Sequence, residues 1–357
     1  MALLLNAEEE QFRDSVRRFV AERSPLAKLR ELMESEKPYH ADVWQRLSDQ
    51  LGLSALIIPA EYGGAEAGYA VLAVALTELG AGLVSSPLLA GTLVAGVLLQ
   101  LDDKDAQARL LPGIASGELI ATLALAGDVT VRSDGGTLTG SVTPVLNAAQ
   151  ANVLLVPAVT DSGIRIYEVD EVTPGLSVST APALDHSRSV STVRLDGVAG
   201  RPLAGDAARA LGFAQDLANL ALAAEQLGGF GAALDMTVEY AKIRAAFGRP
   251  IGAFQGVKHR LADLRTDWEL AQAALLDAAR AADERPGDFA RAAAVARVSV
   301  SEAYVAAATA TIQLHGGIGF TWEHDAHLYY KNAISQNALF GDPKAQLDRL
   351  QALLASD

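Results

Sequence analysis

Cysteine is absent from the 357 residues of this chain. Disulfides, thiolate nucleophiles and cysteine-ligated metals are therefore excluded, and any redox chemistry has to use a bound cofactor. Long apolar runs are also absent, because those at 69–76 and 88–99 are short or interrupted by glycine, so we expect no membrane span. The first ten residues become acidic at once and lack the basic region of a secretory signal, which favours a cytoplasmic location.

Positive charge is scarce. The chain has 29 Lys and Arg residues against 43 Asp and Glu, which gives a formal net charge of −14. Nucleic-acid binding needs a basic face, so we expect no nucleic-acid partner. A phosphate ligand would have to be met by arginines that cluster locally. Since half of the residues are hydrophobic and 20% are charged, the chain is expected to be globular.

Apolar spacing divides the chain into three regions. Helical spacing dominates the first region, at 7–22, 40–51, 70–79, 88–99 and 104–110. Short alternating runs follow between turn signals, at 129–131, 137–140, 153–156, 164–169 and 190–195. Long Ala-rich helical segments then cover 204–243, 256–282, 290–314 and 325–339. We predict a mostly α protein with an N-terminal helical domain at 1–118, a central antiparallel, barrel-like β domain at 119–202 and a C-terminal four-helix bundle at 203–357.

A glycine-rich run, Ile-Gln-Leu-His-Gly-Gly-Ile-Gly-Phe-Thr-Trp-Glu, occupies 312–323. It follows a predicted helix, whereas the dinucleotide-binding fingerprint follows a strand, so the commonest interpretation of clustered glycines is excluded. Glycine lets the main chain approach a ligand without a Cβ in the way, and the amide of Gln313 can both donate and accept hydrogen bonds. Gly316 and Gly317 are therefore candidate ligand contacts.

A second run, Arg-Ala-Ala-Phe-Gly-Arg-Pro-Ile-Gly-Ala-Phe-Gln, occupies 244–255. Arg244 and Arg249 flank Phe247 where the preceding helix should stop, and Gln255 opens the next helix. Guanidinium groups at such a point can hold a diphosphate, and a helix N-terminus adds partial positive charge. The alternative is that the arginines are surface residues at a helix end and the glycines form a turn.

Together these two runs resemble the flavin-binding half of acyl-CoA dehydrogenases. The order of helical domain, β domain and helical bundle is that of the family, and the segments at 51–64 and 184–198 are similar to its signatures. The resemblance covers nearly the whole chain. It implies FAD as cofactor, an acyl-CoA thioester as substrate and electron-transfer flavoprotein as electron acceptor.

The same resemblance implies which residues contact FAD. The positions of Arg244, Phe247 and Gln255 contact the diphosphate and adenine end of the cofactor from one subunit. Those of Gln313, Gly316 and Gly317 contact the same flavin from the neighbouring subunit. We therefore expect at least a dimer, either a homo-oligomer or an α2β2 heterotetramer with a larger acyl-CoA dehydrogenase.

The catalytic base of the family is a carboxylate that removes the α-proton of the thioester while the β-hydride passes to the flavin. Its two usual places match Phe340 and Ala218-Asn219 here, so neither place carries a carboxylate. Asp342 is one candidate base, and the alternative is that it belongs to a turn or helix start. Glu225, on an apolar helix face, is another, and the alternative is that it satisfies a buried polar partner.

The β domain also departs from the family pattern. The regions that match its flavin-ring contacts read Thr-Leu-Ala-Leu-Ala-Gly-Asp-Val at 122–129 and Val-Thr-Pro-Val-Leu-Asn-Ala-Ala at 142–149. Divergent chains of this kind resemble one subunit of heteromeric acyl-CoA dehydrogenases that act on bulky steroid-CoA or dicarboxyl-CoA thioesters. Three functions stay open: dehydrogenation of such a thioester, completion of a partner's flavin site by a catalytically incomplete subunit, and a flavin oxidase or oxygenase on the same fold.

Histidines near the glycine-rich run suggest a metal site at first sight. His315, His324 and His327 lie close to Asp325 in the sequence. A helix would bring Glu323 and His327 to one face, but two ligands without a third are weak evidence for a metal. Solvated or capping histidines are the alternative, and we predict no metal site.

Overall fold

The computed structural model describes residues 4–35, 37–125 and 130–356. In these residues the helices are α1 (Ala7–Arg23), α2 (Leu26–Met33), α3 (Ala41–Leu51), α4 (Gly68–Ala81), α5 (Leu88–Gln100), α6 (Lys104–Ala115), α7 (Ala207–Ile243), α8 (Gln255–Glu284), α9 (Phe289–His315), α10 (Ala326–Asn337) and α11 (Pro343–Ser356). The strands are β1 (Ala121–Leu123), β2 (Val131–Asp134), β3 (Thr137–Leu146), β4 (Val153–Thr160), β5 (Gly163–Asp170), β6 (Leu176–Thr180), β7 (Val190–Ala199), β8 (Arg201–Pro202), β9 (Ala245–Ala246) and β10 (Arg249–Pro250).

The predicted fold class is confirmed, because a central sheet separates two helical regions along the chain. The structure adds α2, α11, β6 and the small β9–β10 hairpin, which the sequence patterns did not indicate. The strand predicted at 129–131 begins at Val131, and residues 126–129 lie outside the described residues. Among the described helices none is both long and apolar enough to cross a membrane.

The chain folds into two compact units. Within the described residues, unit 1 takes 4–30, 73–84 and 219–356, and unit 2 takes 31–72 and 85–218 apart from 36 and 126–129. Three of the boundaries thus fall inside α2, α4 and α7. The three-domain division at 118 and 202 stays a prediction.

The sheet of unit 2 has the strand order β6-β7-β3-β2-β4-β5-β8, and β1 pairs with β4. Most pairs are antiparallel, but β4 pairs in parallel with both β1 and β2, so the predicted antiparallel domain is in fact mixed. Inward side chains of β2, β3, β4 and β7 form one apolar cluster, with Val131, Leu138, Leu154 and Val193 fully buried. Buried and more exposed residues alternate along much of β3 and β7, as the period-2 pattern predicted, whereas the first six residues of β4 are all buried.

Unit 1 is a helical bundle in which small residues allow close helix contacts. The backbones of α4 and α7 approach closely at Gly80 and Gly228, because a Cβ on Gly80 would lie 2.0 Å from the Glu225 carbonyl oxygen and one on Gly228 would lie 1.8 Å from the Thr77 carbonyl oxygen. Gly229 likewise makes room for Tyr304 of α9, whose hydroxyl donates to Asn332 Oδ1 at 3.0 Å. The alanine and glycine bias of these helices therefore has a packing reason.

Candidate functional site

A two-residue hairpin follows α7 in unit 1. Ala246 pairs with Arg249, and the intervening Phe247 and Gly248 have φ angles of 50° and 77°. Two left-handed residues make this a type I′ turn, which favours Asn-Gly because both residues then tolerate positive φ. Phenylalanine is strained in the left-handed region, and here its side chain is also 96% exposed. Backbone strain of this kind is concentrated at functional sites, and the role of Phe247 in cofactor binding stays a prediction.

The hairpin is braced by Phe254, the residue before α8. The Phe254 ring meets the Phe247 ring edge-on at 6.3 Å, and the Arg249 guanidinium lies 4.1 Å from its centroid. This cation–π contact holds Arg249 next to the start of α8. Gln255, the first residue of that helix, is exposed, as a ligand contact requires.

This end of the bundle is positively charged, although the chain as a whole is acidic. Residues 244–260 contain four Lys or Arg residues and His259 but no Asp or Glu, in a chain of net charge −14. Arg244, Arg249 and Lys258 are all exposed. The N-terminus of α8 adds partial positive charge. The surface therefore has the charge that a diphosphate requires.

The predicted glycine-rich turn is a short 3₁₀ segment at Gly316–Phe320, directly after α9. Gly316 has φ 64° and donates its N–H to the carbonyls of Ile312 and Gln313, ending the helix. No described atom beyond the flanking residues lies within 4 Å of where a Cβ on Gly316 or Gly317 would be. Both glycines are exposed, and so is Gln313.

Gly319 differs from the other two glycines. A Cβ there would lie 3.1 Å from the carbonyl oxygen of Ile312 and 3.1 Å from the Cβ of His315. Gly319 is therefore closely packed inside the chain, whereas Gly316 and Gly317 leave open space. Of these three glycines, only Gly316 and Gly317 leave room for a ligand to approach the main chain, and a side chain there would obstruct it.

The two motifs lie at the same end of unit 1. Tyr240, in the last turn of α7, stacks on His315, the last residue of α9, with ring centroids 4.3 Å apart and an interplanar angle of 26°. The Tyr240 hydroxyl also points to the His315 carbonyl oxygen at 3.5 Å. One chain thus presents both the Arg244–Gln255 segment and the glycine-rich turn at the same end of unit 1.

The two candidate bases lie in different environments. Asp342 is exposed and accepts a hydrogen bond from the Ala345 N–H at 2.8 Å, so its carboxylate caps the start of α11. Glu225 is 8% exposed, and Gln336 Nε2 donates to its Oε2 at 3.3 Å. Neither contact excludes a catalytic role, and both assignments stay predictions.

The two places where the family carries its base are filled by other side chains. Phe340 is 8% exposed, and Asn219 is fully buried. Gln346 connects them, because Asn219 Nδ2 donates to Gln346 Oε1 at 2.8 Å and Gln346 Nε2 donates to the Phe340 carbonyl at 3.0 Å. The two positions are thus occupied by the buried ring of Phe340 and by the buried amide of Asn219, which donates to the amide of Gln346.

Sequence reasoning missed Arg297 on α9, which is fully buried. Its guanidinium donates to Gln226 Oε1 at 2.8 Å, to the Gln336 carbonyl at 2.7 Å and to the Leu339 carbonyl at 3.2 Å, and it also contacts Ser301. Arg297 therefore satisfies the carbonyls where α10 ends and fixes the segment that leads to Phe340. Burial lowers the pKa of this guanidinium to about 10, partly offset by the negative charge of Asp342. A lone arginine within an apolar helical repeat was the available signal.

The three histidines pack on aromatic rings. His324 lies 4.5 Å from His315 between ring centroids, and His327 stacks on Trp322 at 5.3 Å. Among the described residues no group of three or more His, Asp or Glu side chains is arranged to hold a metal ion.

Comparison with known proteins decides the family. The family model described as "Acyl-CoA dehydrogenase, N-terminal domain" matches residues 6–118, and "Acyl-CoA dehydrogenase, C-terminal domain" matches residues 212–354. The chain is 37% identical over 345 residues to acyl-CoA dehydrogenase IpdE2 of Mycobacterium tuberculosis, covering 97% of this chain and 96% of that one. The chain belongs to the acyl-CoA dehydrogenase family. FAD is the cofactor of this family, so the cofactor prediction is confirmed.

Solved structures of acyl-CoA dehydrogenases agree with this membership. One is the ChsE4-ChsE5 complex from Mycobacterium tuberculosis, with 30% identity, a TM-score of 0.92 and full coverage of both chains. Another is the Tcur3481-Tcur3483 steroid ACAD G363A variant, with 31% identity, a TM-score of 0.90 and 98% coverage of both chains. The residues that would hold the adenosine diphosphate end of FAD fit that group, since open glycines and exposed arginines are present. The segments compared with the flavin-ring contacts lie in unit 2, at 122–125 and 142–149, and 126–129 is outside the described residues.

Proposed function

We propose that this acyl-CoA dehydrogenase family chain is the catalytically incomplete subunit of a heteromeric enzyme, in which it completes the flavin site of a larger acyl-CoA dehydrogenase. The observation that carries this proposal is the pair Phe340 and Asn219, which occupy both expected base positions and are tied together by Gln346. A proton on the substrate α-carbon has no carboxylate acceptor at either position.

The chain's own task would be to hold the cofactor. Arg244 supplies charge for the diphosphate, Gln255 adds an amide at the start of α8, and Phe247 offers an exposed ring to the adenine. The glycine-rich run would contact the FAD molecule whose diphosphate and adenine end is held by the other subunit. Its contacting residues would be Gln313, Gly316 and Gly317. When bound, FAD would supply an acceptor for the β-hydride, and the α-proton would pass to a carboxylate of the partner subunit.

A bulky acyl-CoA is the substrate class that we propose for the assembled enzyme. Support comes from the relatives, one of which is described as a steroid ACAD and another as a two-component complex. Electron-transfer flavoprotein is proposed as the acceptor of the electrons on the strength of family membership.

The experiment compares the chain purified alone with the chain co-purified with a larger acyl-CoA dehydrogenase. FAD content is read from flavin absorbance, and dehydrogenation of a panel of acyl-CoA thioesters is read with ferrocenium as electron acceptor. We expect turnover only from the pair. Turnover by the single chain at the typical enzyme rate of about 10 per second would overturn the proposal. Arg244→Ala should lower the FAD content of the pair, whereas Arg18→Ala, at an exposed position of α1, should not.

A second candidate is that the chain catalyses dehydrogenation with its own base. The buried carboxylate of Glu225 favours it, because such a group is either paired or functional. Glu225→Gln and Asp342→Ala separate the two candidates. If either residue is the base, its substitution lowers the turnover rate by a factor on the order of 10² or more. Under our proposal the turnover rate stays unchanged in both variants. Asp342→Ala then removes only the helix cap, which lowers stability by about 1 kcal/mol.

A further inference from the structure

His315 is buried where the two motifs meet. It is 4% exposed, and its Nδ1 lies 2.8 Å from the carbonyl oxygen of Thr311. A carbonyl only accepts hydrogen bonds, so Nδ1 carries the proton and Nε2 carries the lone pair. Nε2 is itself buried, and it has no hydrogen-bond partner among the described residues.

Three rings pack together at this junction, those of Tyr240, His315 and His324. Tyr240 comes from α7 and stacks on one side of His315 at 4.3 Å, while His324 lies 4.5 Å away with an interplanar angle of 55°. Gly319 packs on the Cβ of His315. The imidazole is thus in contact with the helix that leads to Arg244 and with the turn that contains Gly316 and Gly317.

The environment of the imidazole favours its neutral form. Burial lowers the pKa of His315, the hydrogen bond to the Thr311 carbonyl opposes that effect, and the charge of His324 lowers the pKa further. The titratable groups in ring contact with it are Tyr240 of α7 and His324, which lies between the Gly316–Phe320 turn and α10, and neither is a carboxylate. A proton on Nε2 would place a second N–H in the interior without an acceptor.

We propose that His315 is a positioning residue for the cofactor surface: as a neutral imidazole it holds the Gly316–Phe320 turn against the end of α7, and its protonation loosens that turn and weakens FAD binding. The second half of this inference rests on the proposed function, since it takes the turn to contact FAD. The first half concerns the apoprotein alone and is tested separately.

The sign of the pH effect follows from linkage. The pKa of His315 in the folded state lies below the unfolded value of about 6.5, so the unfolded chain binds more protons. The stabilising contribution of His315 is complete above about pH 6.5 and is lost as the pH falls through the folded-state pKa.

The test uses the full chain without FAD first. Urea midpoints are measured from pH 5 to pH 8 for the wild type, for His315→Phe, which keeps a stacking ring but cannot titrate, and for His186→Phe, which replaces an exposed histidine of unit 2. We expect the midpoint of the wild type and of His186→Phe to fall below pH 6.5, and that of His315→Phe to fall much less. Equal pH dependence in all three proteins overturns the inference. Should His315→Phe not fold, the NMR titration of the wild-type imidazoles decides, because a His315 pKa at or above that of His186 also overturns it.

FAD binding is then measured by flavin fluorescence at pH 7.5 and pH 5.5. The wild type should bind at least tenfold more weakly at the lower pH, and His315→Phe should lose most of that difference. A wild type that never binds FAD, alone or with its partner, overturns the proposed function and leaves the apoprotein result standing. Equal loss of FAD in wild type and His315→Phe overturns the positioning role.

Discussion

Asn219 and Gln346 are hydrogen-bonded side chain to side chain at 2.8 Å although 127 residues separate them in sequence. Gln346 Nε2 in turn donates a hydrogen bond to the backbone carbonyl of Phe340 at 3.0 Å. Both positions where a catalytic carboxylate was expected are therefore part of one buried polar chain. A carboxylate at 219 would remove the amide that donates to Gln346, whereas at 340 the contact is made by the backbone carbonyl and does not depend on the side chain.

Gln346→Leu tests this chain of contacts. The substitution leaves the buried amide of Asn219 without one acceptor and the Phe340 carbonyl without its donor. We expect a loss of about 2 kcal/mol in the free energy of unfolding, measured by urea denaturation. Gln351→Leu, at an exposed position of the same helix, is the control and should change stability by less than about 0.5 kcal/mol. Equal effects of the two variants would contradict the structural role of Gln346.

Gly317→Ala and Gly319→Ala should separate binding from folding. The first adds a methyl group to open space, so stability should not change, but FAD affinity should fall roughly tenfold, equivalent to about 1.4 kcal/mol. The second forces a Cβ to 3.1 Å from Ile312 and His315, so thermal stability should fall. Melting temperature and flavin fluorescence measured on both variants check the contrast. A Gly317→Ala protein that binds FAD normally would remove this glycine from the proposed site.

Phe247→Asn should stabilise the fold and weaken the function. Asparagine suits the left-handed first position of a type I′ turn, so the free energy of unfolding should rise by about 1 kcal/mol. The exposed ring is lost, so FAD binding should weaken. Phe247→Leu is the matched control, because it also removes the ring but keeps the backbone strain. If both variants leave FAD content intact, the ring has no role in binding the cofactor.

Arg297→Met should destabilise unit 1. The carbonyls of Gln336 and Leu339 lose a buried donor, and we expect a cost of about 3 kcal/mol in urea denaturation. Arg291→Met, in the same helix, breaks an exposed ion pair with Asp288 and should cost about 0.5 kcal/mol or less. A loss as small for Arg297 as for Arg291 would exclude the capping role.

Much of the helical architecture could be predicted from the sequence. The spacing at 204–243 and 290–314 gave α7 and α9 to within three residues, because long apolar repeats determine helices strongly. The β9–β10 hairpin was missed because each strand has two residues, too short for any periodic signal. The parallel pairs of β4 were missed because strand order depends on contacts far apart in sequence.

The candidate site was predictable only in part. Gly316 and Gly317 could be chosen because their run follows a helix and not a strand, but the structure shows that Gly316 also ends α9 and that Gly319 is closely packed within the chain. Gln346 and Arg297 were not chosen, since Asn219 lies 127 residues from Gln346 and Gln336 lies 39 residues from Arg297, and only the folded chain brings these pairs together. The cap formed by Asp342 followed from its local sequence, as the turn alternative had suggested.

The stacking of Tyr240 on His315 has a consequence for cofactor stoichiometry. Because every chain carries one copy of each segment that we propose to contact flavin, two identical chains related by a twofold axis would create two equivalent cofactor positions. When the two chains differ, the positions are no longer equivalent, and one can be lost by substitution without affecting the other. The ratio of bound flavin to polypeptide therefore shows how many of these positions the assembly has kept. One flavin per polypeptide means that both are kept, and one flavin per two polypeptides means that one is lost.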